Sequence, residues 1–323
     1  VRTLFIFSFA FIMKPIHSRY NLITILGPTA TGKTGFAANL AVKISGEIIS
    51  ADSRQVYRNM DIGTGKDYDD YIVEGKSVPV HLIDMEEPGA HYNVYRFQSD
   101  FIKTFNNLQS EGKFPLLCGG TGLYLEAVLK DYKLIHVPPD RELRKSLEGK
   151  SLEELAAILK SIKSDLHNIT DIETDRRAIR AIEIEMFYRK NPSASSDMPV
   201  IKSLNIGVIF DRHTRRQRIS ERLKQRLSEG MIEEVRGLLN NGLTPDQLIY
   251  YGLEYKYITL YLTGILTYQE MYERLEIAIH QFAKRQMTYF RGMEKRGTDI
   301  HWIDGHLPVE KKVDKVLSLM ASH

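Results

Sequence analysis

Leu22-Ile-Thr-Ile-Leu26 runs directly into Gly27-Pro28-Thr29-Ala30-Thr31-Gly32-Lys33-Thr34. The first five residues are apolar or β-branched and predict a buried strand. Beyond the loop, Phe36, Ala37, Leu40, Ala41 and Ile44 recur at helical spacing. A glycine-bounded loop ending in Lys-Thr between a strand and a helix is the Walker A phosphate-binding pattern. Its glycines let backbone N–H groups turn inward on an anion, and the helix N-terminus adds positive potential. Lys33 supplies a mobile cation, and the Thr34 hydroxyl is a candidate Mg²⁺ ligand. The pattern does not say what carries the phosphates: nucleotide kinases, GTPases and diphosphate-dependent transferases all fit it.

Working outward, further short apolar runs alternate with helical patterns. They are Glu47–Ser50, His81–Asp84, Pro115–Cys118 and Asn205–Phe210. This alternation predicts an α/β fold, a P-loop NTPase-like parallel sheet with helices on both faces. From residue 134 to 200 the pattern is helical only, opened by Pro138-Pro139 and closed by the polar run Asn191–Asp197. It is assigned as a helical insertion domain dividing the core into 21–133 and 201–323. From Arg215 onward the chain is again helical, with a long helix through Arg291 and a last short strand at Ile300–Ile303. Residues 1–20 are set apart as an N-terminal extension. The apolar run Leu4–Met13 has no small-residue cleavage site after it and is too short to span a bilayer, so a start near Met13 and no membrane association are expected.

The composition, 43% hydrophobic and 26% charged, is that of a globular protein. A net charge of +3 means that any nucleic-acid binding must come from basic residues gathered on one surface. Cys118 is the single cysteine, which excludes an internal disulfide and suits a reducing cytoplasmic compartment.

Four more strings narrow the chemistry: Ser50-Ala-Asp52-Ser53-Arg54-Gln55-Val-Tyr57, Asp61-Ile-Gly63-Thr64-Gly-Lys66, Gly119-Gly120-Thr121-Gly122 and Phe282-Ala-Lys284-Arg285-Gln286-Met-Thr288. In this order, with His81–Asp84 between the second and third, they resemble the tRNA dimethylallyltransferase family. The resemblance spans about Leu22 to Asp304. It implies prenyl transfer from dimethylallyl diphosphate to the N6 amine of the adenosine next to the anticodon, with the anticodon stem-loop of tRNA as partner; Mg²⁺, with Thr34 as its ligand, is the expected cofactor and a monomer the expected state.

The same resemblance implies roles. Asp52 takes the amine proton, Thr121 stabilises the leaving diphosphate and Arg285 neutralises it. Residues Gly27 to Thr34 hold the diphosphate. Asp52, Ser53, Arg54, Gln55 and Thr121 meet the tRNA, as do Arg144, Arg176, Arg177, Arg180, Tyr255, Lys256, Gln281, Lys284, Arg285 and Thr288. By residue type alone, Asp52 and Thr121 also fit helix N-caps. In the last long helix, Met271, Leu275, Ala278 and Phe282 read as the core face, with Gln281, Arg285 and Thr288 on another. Arg215, Arg218, Arg222 and Arg226 form a second basic stripe, read mainly as a solvated face with acidic partners such as Glu221 and Glu229. One departure stands out. Counted back from Gly264, Tyr255 and Lys256 match the pattern, but Glu254 stands where it carries glycine and Tyr257 where it carries an acid.

Two other classes share parts of this reading. An adenylate isopentenyltransferase uses the same donor on a free nucleotide, but needs no Arg-bearing helical insertion. A small-molecule kinase is supported by the phosphate loop alone, with no arginine-rich lid evident in the sequence.

Overall fold

The computed structural model describes residues 18–162, 174–191 and 198–321. The expected start at Met13 and the polar run after Asn191 lie outside the described residues. Contacts divide the chain into two compact units, one of residues 1–131 and 199–323, the other Tyr132–Met198.

The first unit begins with β1 (Leu22–Leu26), α1 (Lys33–Ile44) and β2 (Gly46–Ser50). A 3-10 turn at Tyr68–Tyr71 leads to β3 (Ile72–Val73), β4 (Lys76–Ser77) and β5 (Val80–His81). Then come α2 (Val94–Ser110), β6 (Phe114–Gly119) and α3 (Gly122–Leu129). After the second unit the chain continues through β7 (Ser203–Ile209), α7 (Arg212–Ser228), α8 (Met231–Asn240), α9 (Pro245–Tyr250), α10 (Leu253–Leu262), α11 (Tyr268–Lys295), β8 (His301–Asp304) and α12 (Val309–Ala321). The sheet has the order β5-β2-β6-β1-β7-β8, and every pairing in it is parallel.

Every residue of β1 is buried, as a strand covered on both faces requires. Its side chains alternate between two apolar clusters. Leu22 and Leu26 join Leu117, Leu125 and Phe290, whereas Ile23 and Ile25 join Phe36, Leu40 and Ile206. That two-residue period puts helices on both sheet faces.

The expected strand His81–Asp84 ends at His81. Leu82 (φ 60°) and Asp84 (φ 53°) are left-handed, which breaks the extended run. The turn carries Asp84 to the buried Lys66 amine, which also donates to Tyr57 O (2.5 Å) and Asp61 Oδ1 (2.9 Å). Two of the motif strings, Asp61–Lys66 and His81–Asp84, thus meet in one ion-pair knot.

In the second unit α4 (Arg141–Leu147), α5 (Leu152–Ile162) and α6 (Asp175–Lys190) enclose a small core of Leu147, Leu155, Leu159, Ala178 and Ile182.

Candidate active site

Because β6 lies between β2 and β1, the loops leaving the carboxyl ends of these three strands are neighbours. Open α/β sheets bind ligands at this edge. Here the edge opens into a cavity of about 680 Å³. Gly32 caps α1 at φ 71°, a conformation open to glycine and strained for other residues. The turn is braced by Thr31 Oγ1 and Lys33 Nζ, which donate to Pro28 O at 2.9 and 2.8 Å. Residues Thr29 to Thr34 line the cavity.

Asp52 and Thr121 face the same space from β2 and β6. Ser53 N–H donates to Thr121 Oγ1 at 3.1 Å, and Thr121 N–H donates to Ala51 O at 3.3 Å. With its oxygen accepting from Ser53, the threonine O–H is directed to donate elsewhere. Neither side chain caps a helix, although Thr121 occupies the N-cap position of α3. Thr121 precedes α3 without capping it by its side chain, and Asp52 Oδ1 accepts from Arg54 N–H (2.8 Å) in a local turn.

A residue without an assigned role ties these loops together. Gln286 on α11 accepts from Thr29 N–H (2.9 Å) and donates to Gly120 O (3.0 Å). A Cβ on Gly120 would come within 2.6 Å of its Nε2, so the glycine admits this approach. The signal in the sequence was a polar amide among the core positions Ala283, Met287 and Phe290, since buried amides are kept where both ends are bonded.

The α7 stripe requires correction. Arg218, Arg222 and Arg226 line the cavity, with Arg226 buried, Arg222 partly buried and only Arg218 exposed. Arg218 Nε donates to Ala30 O at 2.9 Å, Arg222 donates to the Thr29 hydroxyl, and Arg226 pairs with Asp67 at 3.2 Å. Burial, reinforced by the neighbouring Arg226 charge, lowers the Arg222 guanidinium to about 10. These arginines stand over the phosphate loop, so the absence of such a set is no longer an argument against a kinase.

On α11 the buried stripe migrates around the helix, from Met271 and Leu275 to Ala283, Met287 and Phe290. Phe282, expected in the core, is therefore 40% exposed and lines the cavity beside Arg285. The Arg285 guanidinium lies 6.0 Å from the Phe282 ring and has no acid within ion-pair distance among the described residues. Gln281, Lys284 and Thr288 are exposed on the same helix, outside the cavity lining.

Tyr255 is a second correction. Expected to meet tRNA, its side chain is 1% exposed and its hydroxyl donates to Glu234 Oε1 at 2.6 Å. Glu234 also accepts from the backbone N–H groups of Asp61, Ile62 and Gly63, so this tyrosine belongs to the clamp on the Asp61–Lys66 turn. Ser53 and Arg54 line the cavity, with Arg54 5.1 Å from the Tyr250 ring. Gln55 also lines it, but its amide is engaged by Ser50 and Gly65 O. Lys256 is partly buried and lies 5.4 Å from the Tyr257 ring.

Within the second unit, Arg144 binds the nearly sealed Glu183 carboxylate through two bonds of 2.9 Å. Arg180 shares that carboxylate and donates to Val137 O at 2.8 Å. Two expected tRNA contacts are therefore also internal struts, because an unpaired buried carboxylate is costly. Arg176 and Arg177 lie exposed in the first turn of α6.

Burial lowers the Lys33 amine to about 8, and the Arg222 charge pushes the same way. An anion favours the charged amine, so diphosphate affinity should be flat below that value and fall above it, by up to about tenfold per pH unit. A pyrophosphate titration across this range checks it, with Lys33→Met expected to lose the slope. An equal slope in the variant would remove Lys33 from the site.

Thr34, Asp67 and Asp70 supply hard oxygen ligands on the rim of the loop. Burial, and after it the Asp67 charge, raises the Asp70 carboxyl, and the Arg222 and Arg226 charges oppose the shift. Among the described residues no group of three or more acidic, histidine or cysteine side chains forms a cage. These residues fit a Mg²⁺ held jointly by the Thr34 hydroxyl and substrate phosphates, since this ion usually keeps few protein ligands.

A family model described as IPP transferase matches residues 55–293, and one described as isopentenyl transferase matches residues 20–82. The chain is 60% identical to tRNA dimethylallyltransferase 2 of Bacteroides fragilis, covering 92% of this chain and 97% of that protein. It is 58% identical to tRNA dimethylallyltransferase 1 of Parabacteroides distasonis, covering 93% and 98%. Among solved structures, the full-length tRNA isopentenylpyrophosphate transferase of Bacillus halodurans aligns at TM-score 0.68 and 32% identity, over 93% of this chain and 95% of that one. By sequence and by fold, the chain belongs to the IPP transferase family.

Proposed function

We propose that this protein transfers a dimethylallyl group from dimethylallyl diphosphate to the N6 amine of the adenosine next to the anticodon in tRNA, releasing diphosphate. The observation that carries the reading is the Ser53 N–H bond to Thr121 Oγ1, which holds the backbone next to Asp52 against the threonine hydroxyl beside the phosphate loop. Kinship with tRNA dimethylallyltransferases supports the substrate pair.

In this reading, the loop N–H groups, Lys33, Arg222 and Arg285 bind and neutralise the diphosphate. Thr121 O–H donates to the bridging oxygen as the prenyl C–O bond breaks. The adenine amine forms the new C–N bond and passes its proton to Asp52, whose Oδ1 is steadied by Arg54 N–H. Mg²⁺, held with Thr34, supplies charge neutralisation on the diphosphate when bound. The target base must leave its stack to reach Asp52. Incubating labelled dimethylallyl diphosphate separately with bulk tRNA, AMP and ATP tests the proposal. Label is expected in tRNA. Label in AMP alone would make it a free-nucleotide enzyme, and Lys33-dependent ATP turnover without transfer would make it a kinase or ATPase.

We assign tRNA affinity in part to Arg176 and Arg177 of the insertion. Neutralising both should lower the salt slope of tRNA binding by ~0.7–0.9 per lost phosphate contact, with pyrophosphate affinity unchanged. Arg144→Ala, by exposing the Glu183 pairing, should instead destabilise the unit. An unchanged salt slope in the Arg176/Arg177 variant would remove the insertion from the RNA-binding surface.

A further inference from the structure

Glu254 is a cavity carboxylate that the proposed chemistry does not use. It sits in the first turn of α10, after Gly252, and lines both the main cavity and a small recess walled by Ile219, Leu223, Met231 and Ile279. An acid suits a helix N-terminus, which would explain the residue type. It does not explain the placement, on the wall that also carries Arg222 and Arg226. Neither arginine is within ion-pair distance of Glu254 among the described residues. Arg222 is engaged by the Thr29 hydroxyl and Arg226 by Asp67. Burial pushes the Glu254 carboxyl up, and a bond from its own backbone N–H and then the charges of Arg226 and Arg222 only partly offset it. The resembled family pattern places glycine here, so neither the loop nor the prenyl-transfer groups require the acid.

Lys33, Arg218 and Arg222 around a phosphate loop attract any polyphosphate, and more strongly as its charge grows. Discrimination against the longer anion needs an element that penalises added charge. We propose that Glu254, in its ionised form, is a specificity-determining residue that admits a diphosphate and disfavours a triphosphate by like-charge repulsion. A third phosphoryl group extending past Arg222 meets this carboxylate on the wall behind it. The inference rests on the cavity being the diphosphate site.

The test uses the full chain with Mg²⁺, measuring dissociation constants for pyrophosphate and tripolyphosphate in parallel. Glu254→Gln and Glu254→Gly, the latter restoring the pattern's residue, should each shift the ratio toward tripolyphosphate by ~10-fold, the scale of one like charge about 12 Å away at an effective dielectric of about 20. Glu221→Gln removes an exposed carboxylate lining the same cavity and should shift it much less. A wild-type ratio in both Glu254 variants, or an equal shift in Glu221→Gln, would overturn the proposal. So would loss of pyrophosphate binding in folded Glu254 variants, which would make the acid a support of the site. Wild-type protein that binds neither pyrophosphate nor dimethylallyl diphosphate would instead sink the functional reading, and this inference with it.

Discussion

Asp52→Ala is expected to slow single-turnover transfer to tRNA by ~10²–10⁴-fold, the usual worth of a positioned general base. The carboxylate has one oxygen committed to Arg54 N–H, which sets its orientation, and the other available to the substrate amine. The amine becomes acidic only as its new bond to carbon forms, so the loss should fall on the chemical step. Binding of tRNA and of pyrophosphate should change little, since neither needs the proton acceptor. Asp52→Asn preserves the turn and should be as slow as alanine. If either variant kept wild-type single-turnover rates, Asp52 would be a loop-shaping residue and the base would have to be sought elsewhere.

Arg222→Ala is expected to lower kcat/KM for dimethylallyl diphosphate by ~10²–10³-fold, comparable to removing one preorganised donor to a developing anion. Its guanidinium is partly buried, lowered to about 10, and held against Thr29 of the phosphate loop. Charge builds on the diphosphate as the prenyl bond breaks, so part of the loss should appear in kcat and part in KM. Lysine at this position keeps a charge but not the planar fork, and should recover the activity only partly. Arg215→Ala, on the same helix but outside the cavity lining, is the control. Equal effects of the two substitutions would return the stripe to a general electrostatic role.

Motif strings were legible because their residues act within a few positions of one another. The strand–loop–helix around Gly27–Thr34 carries its conformational instruction locally, in glycines and an apolar period, and it folds as read. The strand ends bearing Asp52 and Thr121 were legible for the same reason. What failed were statements about which surface a helix face meets. A helical period separates core from non-core positions, but does not distinguish bulk water from a cavity wall. Arg218, Arg222 and Arg226 fell on that ambiguity in one direction, and Phe282 in the other.

By itself, then, the sequence determined the parallel α/β sheet, the phosphate loop and the family. Each is encoded in local spacing and in apolar runs that must be buried. Only the tertiary structure decided that Gln286 clasps two loops, that Tyr255 and Lys66 are internal clamps, and that Glu254 faces the cavity. Those assignments depend on which distant chain segment supplies a partner for a buried polar group. Partners separated by tens to hundreds of residues meet only once the sheet order is set.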